Sequence, residues 1–185
     1  SYDLSSFIMK FCTSAPFSAA LKADILKRWP GGLVEYFGMT EGGGTCVLVA
    51  HAFPDKLHTV GTPAPGHDIR VIDEDGRELP RGEIGEIWIH GASVIKGYWN
   101  NPKATAESFT AGFWHSGDLG SVDAENFVRV FDRQKDMINR GGLKIYSAEV
   151  ESVLAGHPDV IESAIIAKPC PVLGERVHAG AGGDE

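Results

Sequence analysis

The first sixty residues combine a helical apolar pattern with a short apolar strand. Between Ser18 and Trp29, apolar residues recur at positions 21, 25, 26 and 29, the spacing of one helix face. Ser18 is a suitable N-cap, and the Pro30-Gly31-Gly32 sequence ends the helix. The run "LVEYF" then predicts a buried strand, followed by a loop with Thr40 and Glu41. Because ligands of open α/β sheets bind at the carboxyl ends of strands, this loop is a candidate site.

From about Gly61 the pattern changes to short strands. Two strand-like runs are joined through Asp75-Gly76, a favoured hairpin dipeptide, and Ile87 and Ile89 alternate with polar or amphipathic residues. Asn101 before Pro102 predicts the start of a short helix, and Asn126–Asp132 alternates again. We therefore expect a small antiparallel, barrel-like β-unit here.

Charge density rises after Asp132, where we place an interdomain hinge. A helix capped by Ser147 and the strand "VIESAIIA" follow, whereas the tail "GAGGDE" has no core-forming residues. The fold class expected is mixed α/β and α+β. We divide the chain into an α/β part (1–58), a β-unit (59–132), a hinge (133–135) and the beginning of a small α+β domain (136–185).

Composition narrows the possible functions. The 185 residues are 43% hydrophobic with a net charge of −8, as in a soluble protein of one or two domains, and this charge disfavours nucleic-acid partners. The sequence has no apolar run long enough to span a membrane. Cys12, Cys46 and Cys170 suit neither a zinc site nor a disulfide framework, so we expect a cytoplasmic protein. The chain starts without methionine, as expected for a piece of a larger protein.

Three segments carry candidate chemistry. In "YFGMTEGGG", Thr40 can donate to a phosphate and Glu41 can ligate Mg²⁺, although a glycine turn with a solvated glutamate is the simpler alternative. In "FWHSGDLG", Asp118 follows Gly117 in a predicted tight loop and can accept hydrogen bonds from ribose hydroxyls. The alternative there is an aspartate that stabilises its own turn.

The third segment, "DRQKDMINRGGLKIYSAEVE", is rich in cations that can neutralise phosphates. Its adjacent Gly141 and Gly142 permit either a close approach to a ligand or a hairpin turn. The alternative is a charged linker, and for Arg140 we adopt that interpretation. The cations are Arg133, Lys135, Arg140 and Lys144.

Together, the order and spacing of these motifs resemble the adenylate-forming superfamily of acyl- and aryl-CoA synthetases, luciferases and peptide-synthetase adenylation domains. "YFGMTE" is similar to its aromatic-Gly-x-Thr-Glu motif, "WHSGDLG" to its Thr-Gly-Asp motif, and the third segment to its hinge motif. The resemblance extends to about Arg176. It implies an acid–thiol ligase that uses ATP and Mg²⁺ to form an acyl-adenylate, and then uses CoA to form a thioester with release of AMP.

The resemblance also implies roles for individual residues. The loop of Ser14, Ala15 and Pro16 would line the adenine, Phe37 and Gly38 would stack on and border the base, and Glu35 would lie near its amino group. Thr40 would contact phosphate, and Glu41 would ligate Mg²⁺. Asp118 and Arg133 would hold the ribose, and Lys135 would be the hinge. Gly141 and Gly142 would border the pantetheine, and Lys144 would reach the phosphate or the acyl-adenylate.

Some features depart from this pattern. Tyr36 replaces a small residue beside the acyl pocket, and Ser147 replaces a proline. The phosphate loop and the C-terminal lysine of the superfamily are missing, so we expect a fragment or a truncated product that is inactive alone. Exposed apolar surface would then favour self-association. A non-catalytic nucleotide-binding remnant and a peptide-synthetase adenylation domain are the alternatives, and fatty and aryl acids both stay open as substrates.

Overall fold

The computed structural model describes residues 2–13 and 15–182. Two compact units are present. The first takes in the chain up to Ser116 together with Gly120–Val130, and the second takes in Gly117–Leu119 and the chain from Phe131 onward. Strands predominate, and the expected mixed α/β and α+β class is confirmed. None of the helices in the described residues has the length and apolar character needed to cross a membrane. The three boundaries drawn from the sequence between the four parts of the chain stay predictions.

The first unit begins with a four-stranded sheet in which only the first two strands run parallel. The other neighbours are antiparallel. The loops that follow the two parallel strands therefore leave the sheet at the same edge, because parallel strands end on the same side. In sheet order the strands are Met9–Thr13 (β1), Gly32–Met39 (β2), Gly43–Val49 (β3) and Thr62–Pro63 (β4).

The predicted helix is confirmed as Ala19–Arg28 (α1), and the Ser18 hydroxyl accepts a hydrogen bond of 3.2 Å from the Leu21 N–H. The predicted apolar face is confirmed in part, since Ile25 and Leu26 pack on a buried cluster. Leu21, however, is 48% exposed, whereas Lys22 is 2% exposed. Burial of Lys22 depends on oxygen partners that come from elsewhere in the chain.

A second sheet, of five strands, follows in the order β5-β6-β8-β7, with β9 paired to β8. Ile87 and Ile89 are fully buried, which confirms the predicted alternation. The turn at Asp75-Gly76 forms, but the next strand begins only at Gly85. The strands are His67–Ile72 (β5), Gly85–Gly91 (β6), Phe109–Thr110 (β7), Phe113–Val122 (β8) and Val128–Arg133 (β9).

Two short helices flank these strands. Pro54–Lys56 is a 3₁₀ helix before β4, and Pro102–Ser108 is the predicted helix α2. The Asn101 side chain caps α2 by accepting a 3.1 Å hydrogen bond from the Ala104 N–H, as the sequence indicates.

The second unit contains a sheet in the order β11-β10-β13-β12 and one helix. The predicted strand near "VIESAIIA" is confirmed. Residues 180–182, the described part of a tail without core-forming residues, belong to a further strand that pairs with β12 along its whole length. Small residues suffice there because pairing uses backbone groups. The elements are Ile138–Arg140 (β10), Leu143–Ile145 (β11), Ser147–Leu154 (α3), Glu162–Cys170 (β12) and Gly174–Gly182 (β13).

Lys56 joins two segments of the first unit. Its ammonium lies 2.7 Å from Asp123 Oδ2, pairs with Glu125 and stands 5.0 Å from the centre of the Phe127 ring. Asp123 Oδ1 also accepts hydrogen bonds of 2.9 Å from the N–H groups of Glu125 and Phe127. Burial opposes ionisation of Asp123, but the hydrogen bonds from Lys56, Phe127 and Glu125 outweigh it and hold the pKa of the carboxyl below its ordinary 3.8.

The Asp123→Asn variant should be less stable than the wild type at neutral pH, by about 1 kcal/mol, because a charged acceptor is lost at a partly exposed position. A carboxyl with a lowered pKa stabilises the fold above its unfolded value and loses that contribution as the pH falls below 3.8. The difference between the two proteins should therefore shrink at acid pH. Urea unfolding at pH 7 and below pH 3.8 measures it.

Asp75→Asn is the matched control, since Asp75 pairs with Arg77 on the exposed surface. Its effect should be small at every pH. An Asp123→Asn variant with the stability of the wild type at pH 7 would contradict the role given to this carboxylate.

Candidate functional site

Two of the predicted site segments lie at one edge of the first sheet. Ala15 and Pro16 follow β1 and are exposed, and Thr40 and Glu41 follow the parallel strand β2. Since both loops leave the sheet on the same side, the structure brings these segments to a common edge. Ser14, the other residue predicted in the first loop, lies outside the described residues.

In the turn between β2 and β3, hydrogen bonds fix the backbone, while the side chains of Thr40 and Glu41 are accessible to solvent. Ser93 Oγ donates a 2.8 Å hydrogen bond to the Gly42 carbonyl, and the Ile95 N–H donates one of 2.8 Å to the Glu41 carbonyl. Thr40 is exposed and Glu41 partly exposed. Among the residues that the structure describes, no hydrogen bond or ion pair engages either side chain, so both are available to a ligand.

The glycines of this motif serve the hairpin. A register shift occurs between Phe37 and Gly38, and a Cβ on Gly38 would lie 2.0 Å from the Gly43 carbonyl oxygen. Only glycine permits that approach. The turn interpretation of the glycines is thus correct, and it is compatible with a ligand at Thr40 and Glu41.

Glu41 alone provides a carboxylate at this turn. No group of three or more metal-ligating side chains that could hold an ion occurs in the described part of the chain. Mg²⁺ is commonly bound through one or two carboxylates together with substrate phosphates. A single partly exposed carboxylate beside the exposed Thr40 hydroxyl fits that mode of binding.

The base-contacting candidates belong to β2. The Phe37 ring packs partly on the core cluster that includes Cys46 and Ile89, and the Phe37 carbonyl accepts a 3.1 Å hydrogen bond from Thr45. Glu35 is buried and forms an ion pair with Lys22. Burial raises the pKa of the Glu35 carboxyl above its ordinary 4.5, against the opposing effect of Lys22. Sequence reasoning missed Lys22, although a lysine on the apolar face of α1 was a signal for it.

Asp118 and Arg133, 15 positions apart, meet in the second unit. Arg133 Nη1 donates a 2.8 Å hydrogen bond to Asp118 Oδ1. Asp118 is 5% exposed, while the Arg133 side chain is half exposed. The pair therefore combines a shielded carboxylate acceptor with an accessible cationic donor.

The prediction of a tight loop around Asp118 is wrong, because Gly117 and Asp118 lie within β8. Gly117 has φ +71°, a left-handed conformation that lets the strand continue through an irregularity. The Gly117 carbonyl accepts a 2.8 Å hydrogen bond from the Gln134 N–H, so the strand is held opposite the segment of Arg133. The alternative in which Asp118 stabilises its own turn is also wrong.

Asp132 is a buried residue that sequence reasoning did not select. Its Oδ2 accepts hydrogen bonds of 2.5 and 2.8 Å from the N–H and hydroxyl of Ser147, and its Oδ1 accepts one of 2.8 Å from the Arg133 N–H. The predicted N-cap role of Ser147 is therefore wrong. Tyr146 is the N-cap residue of α3, and the Ser147 hydroxyl is engaged by Asp132. The alternation of "NFVRVFD" was the available signal for an inward Asp132.

Gly141 and Gly142 form the turn of the β10–β11 hairpin, with φ of +62° and +93°. Lys144 lies in β11 opposite Asn139, and Lys135 is exposed in the turn before β10. The two glycines line an open depression of about 580 Å³, which is also lined by Met137, Asn139, Leu173, Gly174 and Glu175. The hairpin alternative for these glycines is correct, and the depression beside them has room for a ligand.

Comparison with known proteins identifies the family. A model of the AMP-binding enzyme family matches residues 1–99. The chain belongs to the AMP-binding enzyme family. This confirms the resemblance to adenylate-forming enzymes drawn from the motifs.

Relatives of this family cover nearly all of the chain. It is 43% identical over 178 residues to a feruloyl-CoA synthase of Amycolatopsis sp., which spans 95% of this chain and 36% of the relative. It is 39% identical to a fatty acid–[acyl-carrier-protein] ligase of Streptomyces coeruleorubidus, over 89% of this chain and 33% of the relative. The chain thus spans about a third of the length of these curated relatives.

A solved structure agrees with this assignment. The o-succinylbenzoate CoA synthetase of Bacillus subtilis in complex with its acyl-adenylate intermediate superposes with a TM-score of 0.88 at 33% identity. The match covers 94% of this chain and 36% of that protein. The family therefore includes an enzyme with this fold that holds an acyl-adenylate.

Replacing Asp132 with alanine should loosen the start of α3. The Ser147 N–H and hydroxyl and the Arg133 N–H lose their acceptor, and buried donors without partners are destabilising. We expect the amides of the first turn of α3 to exchange with solvent at least about tenfold faster, a local loss of about 1.4 kcal/mol. Hydrogen exchange followed by mass spectrometry measures this.

Asp136→Ala is the control, because Asp136 is exposed in the next turn. Its exchange pattern in α3 should match that of the wild type. Equal protection of α3 in Asp132→Ala and the wild type would show that the helix does not depend on this carboxylate.

Proposed function

We propose that this chain supplies the nucleotide-binding part of an acid–thiol ligase. The observation that carries the proposal is the Asp118–Arg133 pair, a shielded carboxylate held at 2.8 Å by a half-exposed guanidinium. Vicinal ribose hydroxyls can donate to such a carboxylate and accept from such a guanidinium. The family assignment and the exposed Thr40–Glu41 turn support the same conclusion.

In the proposed first half-reaction, a carboxylate oxygen of the acid attacks the α-phosphorus of ATP. A new P–O bond forms, the bond to pyrophosphate breaks, and the product is an acyl-adenylate. Thr40 donates its hydroxyl to a phosphate oxygen, and Phe37 with the Ala15–Pro16 loop holds the base. Glu41 would hold Mg²⁺, which when bound neutralises phosphate charge. Such positioned donors and cations supply most of the stabilisation in phosphoryl chemistry.

In the proposed second half-reaction, a thiolate attacks the acyl carbon and AMP leaves. Gly141 and Gly142 border the depression of the second unit, where a narrow backbone turn leaves room for a pantetheine arm. Lys144 reaches the phosphate or the acyl-adenylate. Lys135, exposed in a turn, is our proposed point about which residues 136–185 rotate between the half-reactions.

The thiol acceptor and the acid are finer parts of the proposal. CoA is our choice of acceptor, and the relatives named as CoA synthases support it. A carrier protein is the alternative, since another relative is named a fatty acid–[acyl-carrier-protein] ligase. Aryl and fatty acids are both candidates for the acid. Tyr36, at the position that the resemblance places beside the acyl pocket, stacks on Phe11 with 6.2 Å between ring centres and fills space that a small residue would leave open.

Two further proposals concern residues 1–185 alone. They span about a third of the relatives' length, so we propose that they do not complete the reaction without the remaining parts of such an enzyme. Tyr2, Ile8 and Phe11 are largely exposed, which supports self-association of the isolated chain. We also propose a cytoplasmic location.

In the complete protein that carries this chain, Asp118→Ala should weaken ATP use. We expect the KM for ATP in acid-dependent ATP–pyrophosphate exchange to rise at least about tenfold, or about 1.4 kcal/mol, as charge-assisted hydrogen bonds are lost. Exchange assays with a panel of aryl and fatty acids measure it. Complete absence of exchange in the wild type would favour the non-catalytic remnant.

Asp68→Ala is the matched control, because Asp68 also pairs with an arginine, Arg70, but on the exposed surface of the five-stranded sheet. Its exchange kinetics should equal those of the wild type. Wild-type ATP dependence in Asp118→Ala would overturn the ribose assignment.

Lys135→Pro should separate the two half-reactions. Proline fixes φ near −65° and restricts the preceding residue, so it should block the change of backbone angles at the hinge. We expect thioester formation to fall at least about tenfold while pyrophosphate exchange stays within about threefold of the wild type. Stopped assays of each half-reaction measure the two rates.

The control is Ala124→Pro, at the second position of the exposed Asp123–Asn126 turn, where proline is favoured. Both half-reactions should proceed normally in that variant. Equal losses of both half-reactions in Lys135→Pro would count against a hinge.

A further inference from the structure

Lys22 is the most deeply buried charged side chain among the described residues, at 2% exposure. Its ammonium has three oxygen neighbours. It forms an ion pair with Glu35 and donates hydrogen bonds of 2.9 Å to the carbonyl oxygens of Leu57 and Thr59. Two N–H groups of the ammonium are thus used by carbonyl oxygens, and the Glu35 carboxylate balances its charge. The Phe17 ring adds a fourth contact, with its centre 5.5 Å from Nζ.

Burial of such a pair needs an explanation other than stability. Removing two charges from water is costly, and well-packed apolar residues often stabilise a core as well or better. An ion pair differs from apolar packing in that it fixes its partners at defined positions. The relevant question is therefore which segments Lys22 holds.

The segments are those of the proposed adenine site. Phe17 directly follows the Ala15–Pro16 loop, and Glu35 stands two residues before Phe37 in β2. Leu57 and Thr59 lie in the segment between the 3₁₀ helix and β4. The ammonium thus ties together three stretches that are distant in sequence, and two of them lead directly into residues proposed to contact the base.

We propose that Lys22 is a positioning residue that fixes the base-binding end of the nucleotide site and thereby its selectivity for adenine over guanine. The inference rests on the proposed function. Lys22 acts through Glu35, which holds β2 ahead of Phe37, and through Phe17, which holds the loop of Ala15 and Pro16. A shift of either segment changes the shape offered to the purine ring and its 6-substituent.

Lys56 provides an internal comparison. It also pairs with carboxylates, Asp123 and Glu125, and also lies against an aromatic ring, that of Phe127. None of these partners belongs to the proposed adenine segments. If Lys22 only stabilised the fold, its replacement should lower the thermal midpoint without changing nucleotide binding, as we expect for Lys56. A comparison of the two lysines therefore distinguishes an effect on the position of the binding segments from an effect on stability.

The experiment measures nucleotide binding by calorimetry in the complete protein that carries this chain, with AMP and GMP as probes. The variants are Lys22→Met, Lys56→Met, Glu35→Gln and the double variant Lys22→Met/Glu35→Gln, each with its thermal midpoint. Lys22→Met should raise the Kd for AMP at least about tenfold and lower the AMP preference over GMP by a similar factor. Lys56→Met should lower the thermal midpoint while leaving both Kd values unchanged.

The double variant should recover part of the AMP affinity lost in Lys22→Met, because it removes the buried carboxylate left without its cation. If Lys22→Met does not fold, Glu35→Gln decides the matter, since it preserves shape and removes only the charge. We expect it to fold and to lower the AMP preference at least about threefold.

An unchanged AMP preference in the folded Lys22→Met protein, or in Glu35→Gln where Lys22→Met is unfolded, would overturn the inference while leaving the proposed function in place. Equal effects of Lys22→Met and Lys56→Met on binding would do the same. A wild-type protein that binds neither nucleotide would instead overturn the proposed function, and the inference with it.

Discussion

The parallel pairing of β1 with β2 is the constraint on which the candidate site residues of the first unit depend. Register runs from Met9 opposite Gly32 to Thr13 opposite Tyr36, and β2 then continues in the same direction to Met39. A parallel pair requires a long connection, which α1 provides. The loop after β1 and the turn after β2 leave the sheet at the same edge because of that arrangement.

The Asp118–Arg133 pair depends on the pairing of β8 with β9. That pairing brings a carboxylate and a guanidinium together from positions 15 apart in the chain. Asp132, the neighbour of Arg133 in β9, accepts a hydrogen bond from the Ser147 N–H and so holds the start of α3 to this strand. Both contacts use an aspartate within a strand, Asp118 in β8 and Asp132 in β9. In each case the position in the strand determines which donor reaches the carboxylate.

Local rules predicted much of the fold. The caps of α1 and α2 and the burial of Ile87 and Ile89 follow from neighbouring residues and strand alternation. Features decided by distant partners could not be predicted in this way. Lys22 is buried because oxygens arrive from β2 and from residues 57 and 59, and Ser147 is not a cap because Asp132 occupies its hydroxyl.

Two strand segments were not predicted from the sequence. The Ser-Gly-Asp sequence around Asp118 is typical of a turn, yet its residues lie in β8, because pairing across the sheet outweighs turn preference. Residues 179–182, at the end of the described chain, are only alanine and glycine but form part of β13 through backbone bonds with β12. The motif order nevertheless selected Asp118 and Arg133, which meet in space, although their local structure was predicted incorrectly.

The position of β12 has a consequence for solubility. It is the terminal strand of its sheet, and such strands can recruit a strand from another molecule and start aggregation. Lys168 and Pro169 stand near its end, the first a charge and the second a residue with no N–H to donate. Ile166, half exposed at mid-strand, lacks such protection. Lys168 and Pro169 thus protect the end of β12 against pairing with another molecule. We expect aggregation to begin at the middle of the strand, around Ile166.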